Sequence, residues 1–299
     1  MKYTMFMLII GAFASMALPR MASSFTQNQN NKRFSEKDEF TKSFELTPGA
    51  RVEVSSIRGS VEIETADVKT AEVRVVRSAK TREDLSNYQI EVQGGQGSLI
   101  VRGETRERKS GSGMNPDVQH WVKLILPRQI DLSVQGVSGG VKTGDVSGKL
   151  SVNNVSGSLD AGSVVGQVYI SSVSGSVSLG PVNQGADIKS VSGNVDLEQA
   201  SGPLSVTGVS GAVSAGISKL GQSGVDIKTV SGRVELRFKE EVNAQLSTNN
   251  ISGKLSLDIP NVTVQSRGNA SAVRALIGKG GPQISISSVS SDVRLAPGS

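Results

Sequence analysis

The only histidine of this 299-residue chain, His120, sits beside its only tryptophan, Trp121, and there is no cysteine. Chemistry that needs an imidazole must therefore pass through His120. One serine stands in a formal Gly-x-Ser-x-Gly match, Gly136-Val137-Ser138-Gly139-Gly140. A nucleophile elbow needs a strand before that serine and a helix after it. Ser138 is followed instead by a further copy of its own tripeptide, Val146-Ser147-Gly148. Such repetition points to structure, because a nucleophile is needed once. No cysteine or second histidine completes a zinc set with His120, which reads as structural or exposed.

Carboxylates on a β scaffold could still cleave acidic polysaccharides or collect calcium. Asp187, Asp196 and Asp226 each lie between two apolar neighbours: Ala186 and Ile188, Val195 and Leu197, Val225 and Ile227. Alternation of that kind turns the acids outward, where stacking would make an acidic stripe. The Gly-Gly-x-Gly-x-Asp calcium repeat is absent, and solvated outward charge is the reading the pattern favours. No catalytic, cofactor-binding or metal residue is assigned, and no enzyme is expected. The 32 Lys and Arg against 27 Asp and Glu give +5, a mild excess with both signs interleaved. With aromatics at 4%, the stacking residues of a nucleic-acid binder are scarce, and no nucleic-acid partner is expected.

The elements that would position these residues come from a repeat. Val-Ser-Gly starts at 137, 146, 155, 173, 191, 209 and 230, Ile-Ser-Gly at 251, and a Val-Ser-Ser variant at 289. The spacing is nine residues, then eighteen, then twenty-one. Degenerate copies fill the eighteen-residue gaps, as at Val164-Val165-Gly166 and Ala200-Ser201-Gly202. The unit is a nonapeptide with apolar first, fifth and seventh positions, as in Val173, Val177 and Leu179. Fifth and seventh positions suit a brief strand with one buried face. A strand that short cannot bury its face alone, so coils must stack. Two nonapeptides make one coil, and the longer steps are coils with an enlarged corner at Ser218–Gly224.

The chain is thus read as all-β, a single-stranded β-helix (β-solenoid) of about 18–21 residues per coil. Residues 38–299 form the solenoid domain: 38–134 a broader first part with loops, 135–299 the regular repeats. Strands are expected at Ala71–Val76, Tyr88–Val92, Leu99–Val101 and Val122–Leu126, and a mobile loop at Glu104–Asp117. Phe40–Leu46 is expected to cover one end of the stack, and Val262–Gly281 to fold over the other end or form a loop. Ahead of the domain, Lys2 precedes the apolar run Met5–Ala14 and then small residues, the order of a secretory signal peptide. It is assigned to residues 1–22, with cleavage after Ala17 or Ala22; an uncleaved anchor is the alternative. Residues 23–37 are polar and aperiodic and read as a disordered leader. After signal cleavage no stable transmembrane segment is expected.

The opening Phe44–Val54, the segment Trp121–Pro127, Ile130–Val134 and the Val-Ser-Gly copies together resemble the bacterial putative-adhesin domain family, a domain of unknown function. The resemblance covers roughly Phe40 to Leu295. It implies a right-handed β-helix of envelope and surface proteins and brings no catalytic or ligand residues with it. The expected function is a non-catalytic exported protein of the periplasm, outer surface or medium, presenting a binding surface to an envelope polymer or partner protein. The alternatives are a polysaccharide-processing enzyme on a β-helix scaffold and an accessory sensor of envelope stress.

Overall fold

The computed structural model describes residues 34–105, 118–153, 155–171, 173–189, 192–267 and 272–298. The expected signal peptide, the leader up to residue 33 and residues 106–117 of the expected loop lie outside them. Among the described residues the chain is all-β, with one six-residue helix.

Its elements run β1 (Glu36–Glu45), β2 (Ala50–Ser55), β3 (Gly59–Ala66), β4 (Thr70–Ala79), α1 (Arg82–Asn87), β5 (Tyr88–Gly95), β6 (Ser98–Thr105) and β7 (Val118–Pro127). The regular repeats then give β8 (Ile130–Gln135), β9 (Val141–Thr143), β10 (Leu150–Asn153), β11 (Leu159–Ala161), β12 (Val168–Ser171), β13 (Val177–Leu179) and β14 (Ala186–Lys189). A long ladder-bonded path, β15 (Val195–Phe238), is followed by β16 (Ala244–Ser252), β17 (Leu255–Leu257), β18 (Val262–Arg267), β19 (Val273–Ile277) and β20 (Gln283–Pro297). Strand β1 takes in Glu36 and Lys37, so strand structure reaches two residues into the segment read as leader. Phe40 and Phe44 supply the half-buried face that holds this strand down.

Each regular coil is two nonapeptides. Leu150 pairs with Val168, and Val168 with Ala186, in parallel at a step of 18 residues. The second strand of the coil repeats the step, Leu159 to Val177 to Val195. One turn sends Val168, Ile170, Val173, Val177, Leu179 and Val182 inward, and all six are buried. These are the first, fifth and seventh positions of the repeat. Small branched side chains suffice because the core is only as wide as the gap between two ladders.

The corners must let backbones meet at ladder spacing. A Cβ on Gly157 would lie 2.6 Å from the carbonyl group of Gly139, and one on Gly175 would lie 2.7 Å from the Gly157 oxygen. Gly175 also has φ of +143°, which L side chains rarely adopt. Short polar side chains pin the coils from outside. Asp145 Oδ1 accepts the Ser163 N–H at 2.9 Å, and Asp131 and Asn194 accept from residues 18 further on. The Ser163 bonds, with Arg128 nearby, hold the Asp145 carboxyl below the usual carboxylate range.

The later coils depart from the nonapeptide reading. Val137, Val146, Val155 and Val173 point inward, yet Val230 and Val289 are 59% and 49% exposed. Alternation running on from Val225 and Ile227 turns Thr229 inward, and the next residue must then face out. Ser288 does the same. The buried polar groups meet one another: Thr229 Oγ1 and Ser291 Oγ are 3.1 Å apart, and Ser288 Oγ donates to Asn250 Oδ1 at 2.9 Å.

Stacking order also differs from chain order at both ends. Strand β2 lies between β6 and β8, and β3 between β7 and β9, all parallel. The first coil is therefore second in the stack. At the other end β20 lies between β15 and the pair β16–β17, although the 21-residue spacing places 251 directly on 230. Antiparallel strands close the ends: β5 on β6, β4 on β7 and β1 on β4, then β19 on β16 and β18 on β19. Of the segments expected at the ends, Phe40–Leu46 lies in β1, on the outer edge of β4, and the strands of Val262–Gly281 form the antiparallel pair β18–β19 outside β16.

Replacing Gly157 by Ala is expected to cost about 2–3 kcal/mol, because only backbone stands in the way of the new methyl. Ser156→Ala, beside it and exposed, is expected to melt within a degree or two of the parent. Equal melting temperatures for the two variants would remove the glycine corner from the account. Deleting Phe40–Leu46 strips β4 of its outer partner and should lower both the melting temperature and the solubility of the chain.

Candidate functional site

The residues singled out from the sequence do not converge. His120 is 3% exposed, an inward residue of β7 at the end of the stack. Its Nδ1 accepts the Arg58 N–H at 3.3 Å, and its ring stacks on Tyr88 with centroids 4.6 Å apart. The Tyr88 hydroxyl donates to the Ser56 carbonyl, and the Arg58 guanidinium lies 4.9 Å over the Tyr88 ring. With Nδ1 accepting, the neutral ring carries its proton on Nε2. Burial, with Arg77 and Arg58 beside it, lowers the His120 pKa from 6.5 to about 4. The imidazole is thus a neutral packing group surrounded by cations, with the opposite electrostatics from a base steadied by a carboxylate.

Ser138 borders the same hollow as His120, of about 740 Å³, but at an exposed corner. Its N–H donates to the Ile57 carbonyl at 3.0 Å. Ser156, Ser174 and Ser192 make the matching bond to Val137, Val155 and Val173. Ser138 is one rung of a corner ladder, and another coil follows it where an elbow needs a helix.

The three aspartates face outward as their alternation requires, but they make no common stripe. Asp187 and Asp226 lie on one face and Asp196, paired in register with Ser178, on the other. Each has a cation nearby: Lys189 at 2.9 Å, Lys228 at 2.7 Å and Arg237 at 3.7 Å, respectively. Among the described residues no group of three or more acidic or histidine side chains is placed to hold a metal ion.

What the fold does assemble is a flat polar face. Ser133, Ser151, Tyr169, Asp187 and Ser205 fall on one outward rung line, with Gln135, Asn153, Ser171, Lys189 and Thr207 on the next. Ser285 and Ser247, then Ser287 and Asn249, continue these lines towards the far end. A shallow groove of about 270 Å³ interrupts the face, bordered by Gln167, Tyr169, Gln184, Asp187, Ser205 and Asp226. Tyr169 is 45% exposed, and its hydroxyl donates to Gln167 Oε1 at 2.8 Å. An aromatic ring fixed among amides, hydroxyls and carboxylates can stack on an apolar ligand face while hydrogen-bonding its edge. The position of Tyr169 between Val168 and Ile170 was the available sequence signal. The grouping of Tyr88, Arg58 and Arg77 around His120 had none, because it forms across strands distant in the chain.

A stack of parallel coils with glycine corners and a polar outer face defines a β-solenoid-like protein. The chain belongs to the Toastrack DUF4097 family, whose model matches residues 50–296. Solved structures with a similar course include a putative cell adhesion protein from Clostridium sporogenes, at 12% identity, covering 88% of this chain and 100% of that one with a TM-score of 0.26. A putative adhesin from Parabacteroides distasonis is 12% identical, over 86% of this chain and 97% of that one, with a TM-score of 0.39. A putative lipid binding protein from the same species is 12% identical, over 86% and 96%, with a TM-score of 0.27. No curated protein matches the sequence. Among the described residues no helix is long and apolar enough to cross a membrane.

Because the His120 pKa is lowered on folding, the unfolded chain takes up a proton between pH 6.5 and about 4 and the folded chain does not. Stability should therefore be complete above pH 6.5 and fall by on the order of 3 kcal/mol as the pH drops to 4. Urea unfolding at pH 7, 5.5 and 4.5 should show the gap between the parent and His120→Gln narrowing towards low pH. A gap that stayed constant would mean that His120 does not titrate in this range.

Proposed function

We propose that this is an exported, non-catalytic protein of the bacterial envelope or surface that presents the Tyr169 face to a surface polymer. The observation that carries this reading is the rung-by-rung array of outward side chains, mostly hydroxyls and amides, with a groove beside Tyr169. A polymer with its own repeat can meet such an array at several rungs, so that weak contacts add along its length. Export rests on Lys2, the apolar run Met5–Ala14 and the small residues after it. The non-catalytic reading rests on Ser138 acting as a repeated corner rung and on His120 being held neutral inside the core. The coils wind right-handed in this reading, since crossovers between parallel strands of one sheet take that hand in about 98% of cases.

Binding of the chain from Ser23 onward to whole envelopes and to isolated envelope glycans, at two salt concentrations, tests the proposal. Saturable binding that survives the higher salt and weakens about tenfold in Tyr169→Ala supports it, a change worth roughly 1.4 kcal/mol. Binding abolished by salt would reduce the interaction to the net charge of +5. Turnover of a glycan would replace the proposal with the enzyme reading.

A further inference from the structure

Strand β20 fills a slot whose two flanking segments pair with it in the same rung pattern. Val225 and Leu246 both pair with Ile284, Ser231 and Ser252 both pair with Ser290, and Val234 and Leu255 both pair with Val293. Flanking residues on the same rung therefore always differ by 21. That is also the coil step just before the slot, where Gly232 rests on Gly211. With β20 withdrawn, β16 and β17 could move up one rung and continue the stack in chain order. Gly253 would then meet Gly232, and Leu257 would meet Leu236. The three segments are interchangeable layers of one ladder, and β20 is the layer inserted out of order.

We infer that β20 is an exchangeable strand whose partner is the same slot in a second copy of this chain. The argument for a second copy is chemical identity. Ile284, Ile286, Val293 and Leu295 are fully buried in the slot. The polar partners of β20 are equally specific: Ser288 on Asn250, Ser291 on Thr229, Asp292 on the Lys254 N–H and Arg294 on Asp258. An identical strand from another copy reproduces every one of these contacts, so exchange leaves the interactions of the slot unchanged. Collapse of β16 and β17 onto β15 keeps their ladder bonded while β20 is out, which lowers the cost of the open state. A glycine-rich connection can serve as the hinge, once the bonds of Gly278 to Asn261 and of Lys279 to Asn243 open. Gly278-Lys279-Gly280-Gly281-Pro282 joins β19 to β20, with Gly278 at φ +56° and Gly280 at φ +78°. Glycines here can straighten or fold back without a Cβ penalty. Exchange between two copies is reciprocal and closes on itself as a two-fold dimer.

The chain has no cysteine, which makes disulfide trapping clean. Ser231 and Ser290 are exposed and paired in register on β15 and β20. Neighbouring strands at ladder spacing place their Cα atoms within disulfide reach. Full-length chains carrying S231C alone and S290C alone are mixed, incubated just below the melting temperature, cooled and oxidised. The expected product is a dimer joined by a 231–290 disulfide, identified by mass spectrometry, in up to about half of the exchanged dimers, the statistical share for two equally abundant chains. The double variant S231C/S290C, oxidised before incubation, should stay monomeric, because its strand is locked in its own slot. The inference is overturned if the double variant closes its disulfide fully within one chain while the mixed single variants give only monomers on light scattering. It is likewise overturned if dimers form but carry no 231–290 link.

Discussion

Every coil of this protein depends on the parallel backbone ladder to the coils above and below it. A three- or four-residue strand has neither the length nor the apolar area to hold itself, and its N–H and C=O groups need partners at ladder spacing. That spacing is reached only if the corners also approach closely, which is why glycines lie one above another through 139, 157, 175, 193 and 211. The valine and leucine ladders inside follow from the same stacking, since each rung places like on like 18 residues apart. Aspartate and asparagine at the corners add bonds between coils without widening the core. Remove the close approach at the corners, and the ladder, the core and the outer face fail together.

A stack of this kind has two open ends, and an open end offers unpaired backbone to any passing strand. The chain meets this in the same way at both ends. The first coil, β2–β3, and the last, β20, are each held one layer in, between parallel neighbours on both sides. Longer antiparallel strands then cover the outside, with β1 and β4 over one end and β18 and β19 over the other. At the first end aromatic side chains join the aliphatic ones. Phe40, Phe44 and Tyr88 gather near the first end, and the one buried imidazole lies with them. Burying His120 there ties that end to pH, because the charged form has no favourable place between Arg58 and Arg77.

The outer face follows from the core without further design. With alternate residues of each strand committed inward, the residues between them must form straight lines along the stack. Serine, asparagine, glutamine and threonine on those lines make a surface with little net charge and many hydrogen-bonding groups. Tyr169 breaks the uniformity, and the groove around it is the place on that face where a ligand ring could rest. His120 and Ser138 lie elsewhere and do repetitive or packing work. The proposed role therefore rests on the shape and polarity of a surface rather than on a reactive group.

The sequence by itself determined the coil. A period of nine with apolar first, fifth and seventh positions leaves one arrangement that buries those residues and pairs the backbone, so the 18-residue step, the glycine corners and the outward aspartates were all legible. The repeated serines could likewise be recognised as structural from their number alone. Tertiary structure decided where layers sit out of chain order. Val-Ser-Gly at 230 and Ile-Ser-Gly at 251 read as successive coils, yet the strand around 289 comes between them, because segments that share one rung pattern can stack in more than one order. It also decided the inversion at Val230 and Val289, where continued alternation turned Thr229 and Ser288 inward to meet polar partners. The setting of His120 was equally beyond the sequence, since Tyr88, Arg58 and Arg77 reach it from strands that only the cap brings together.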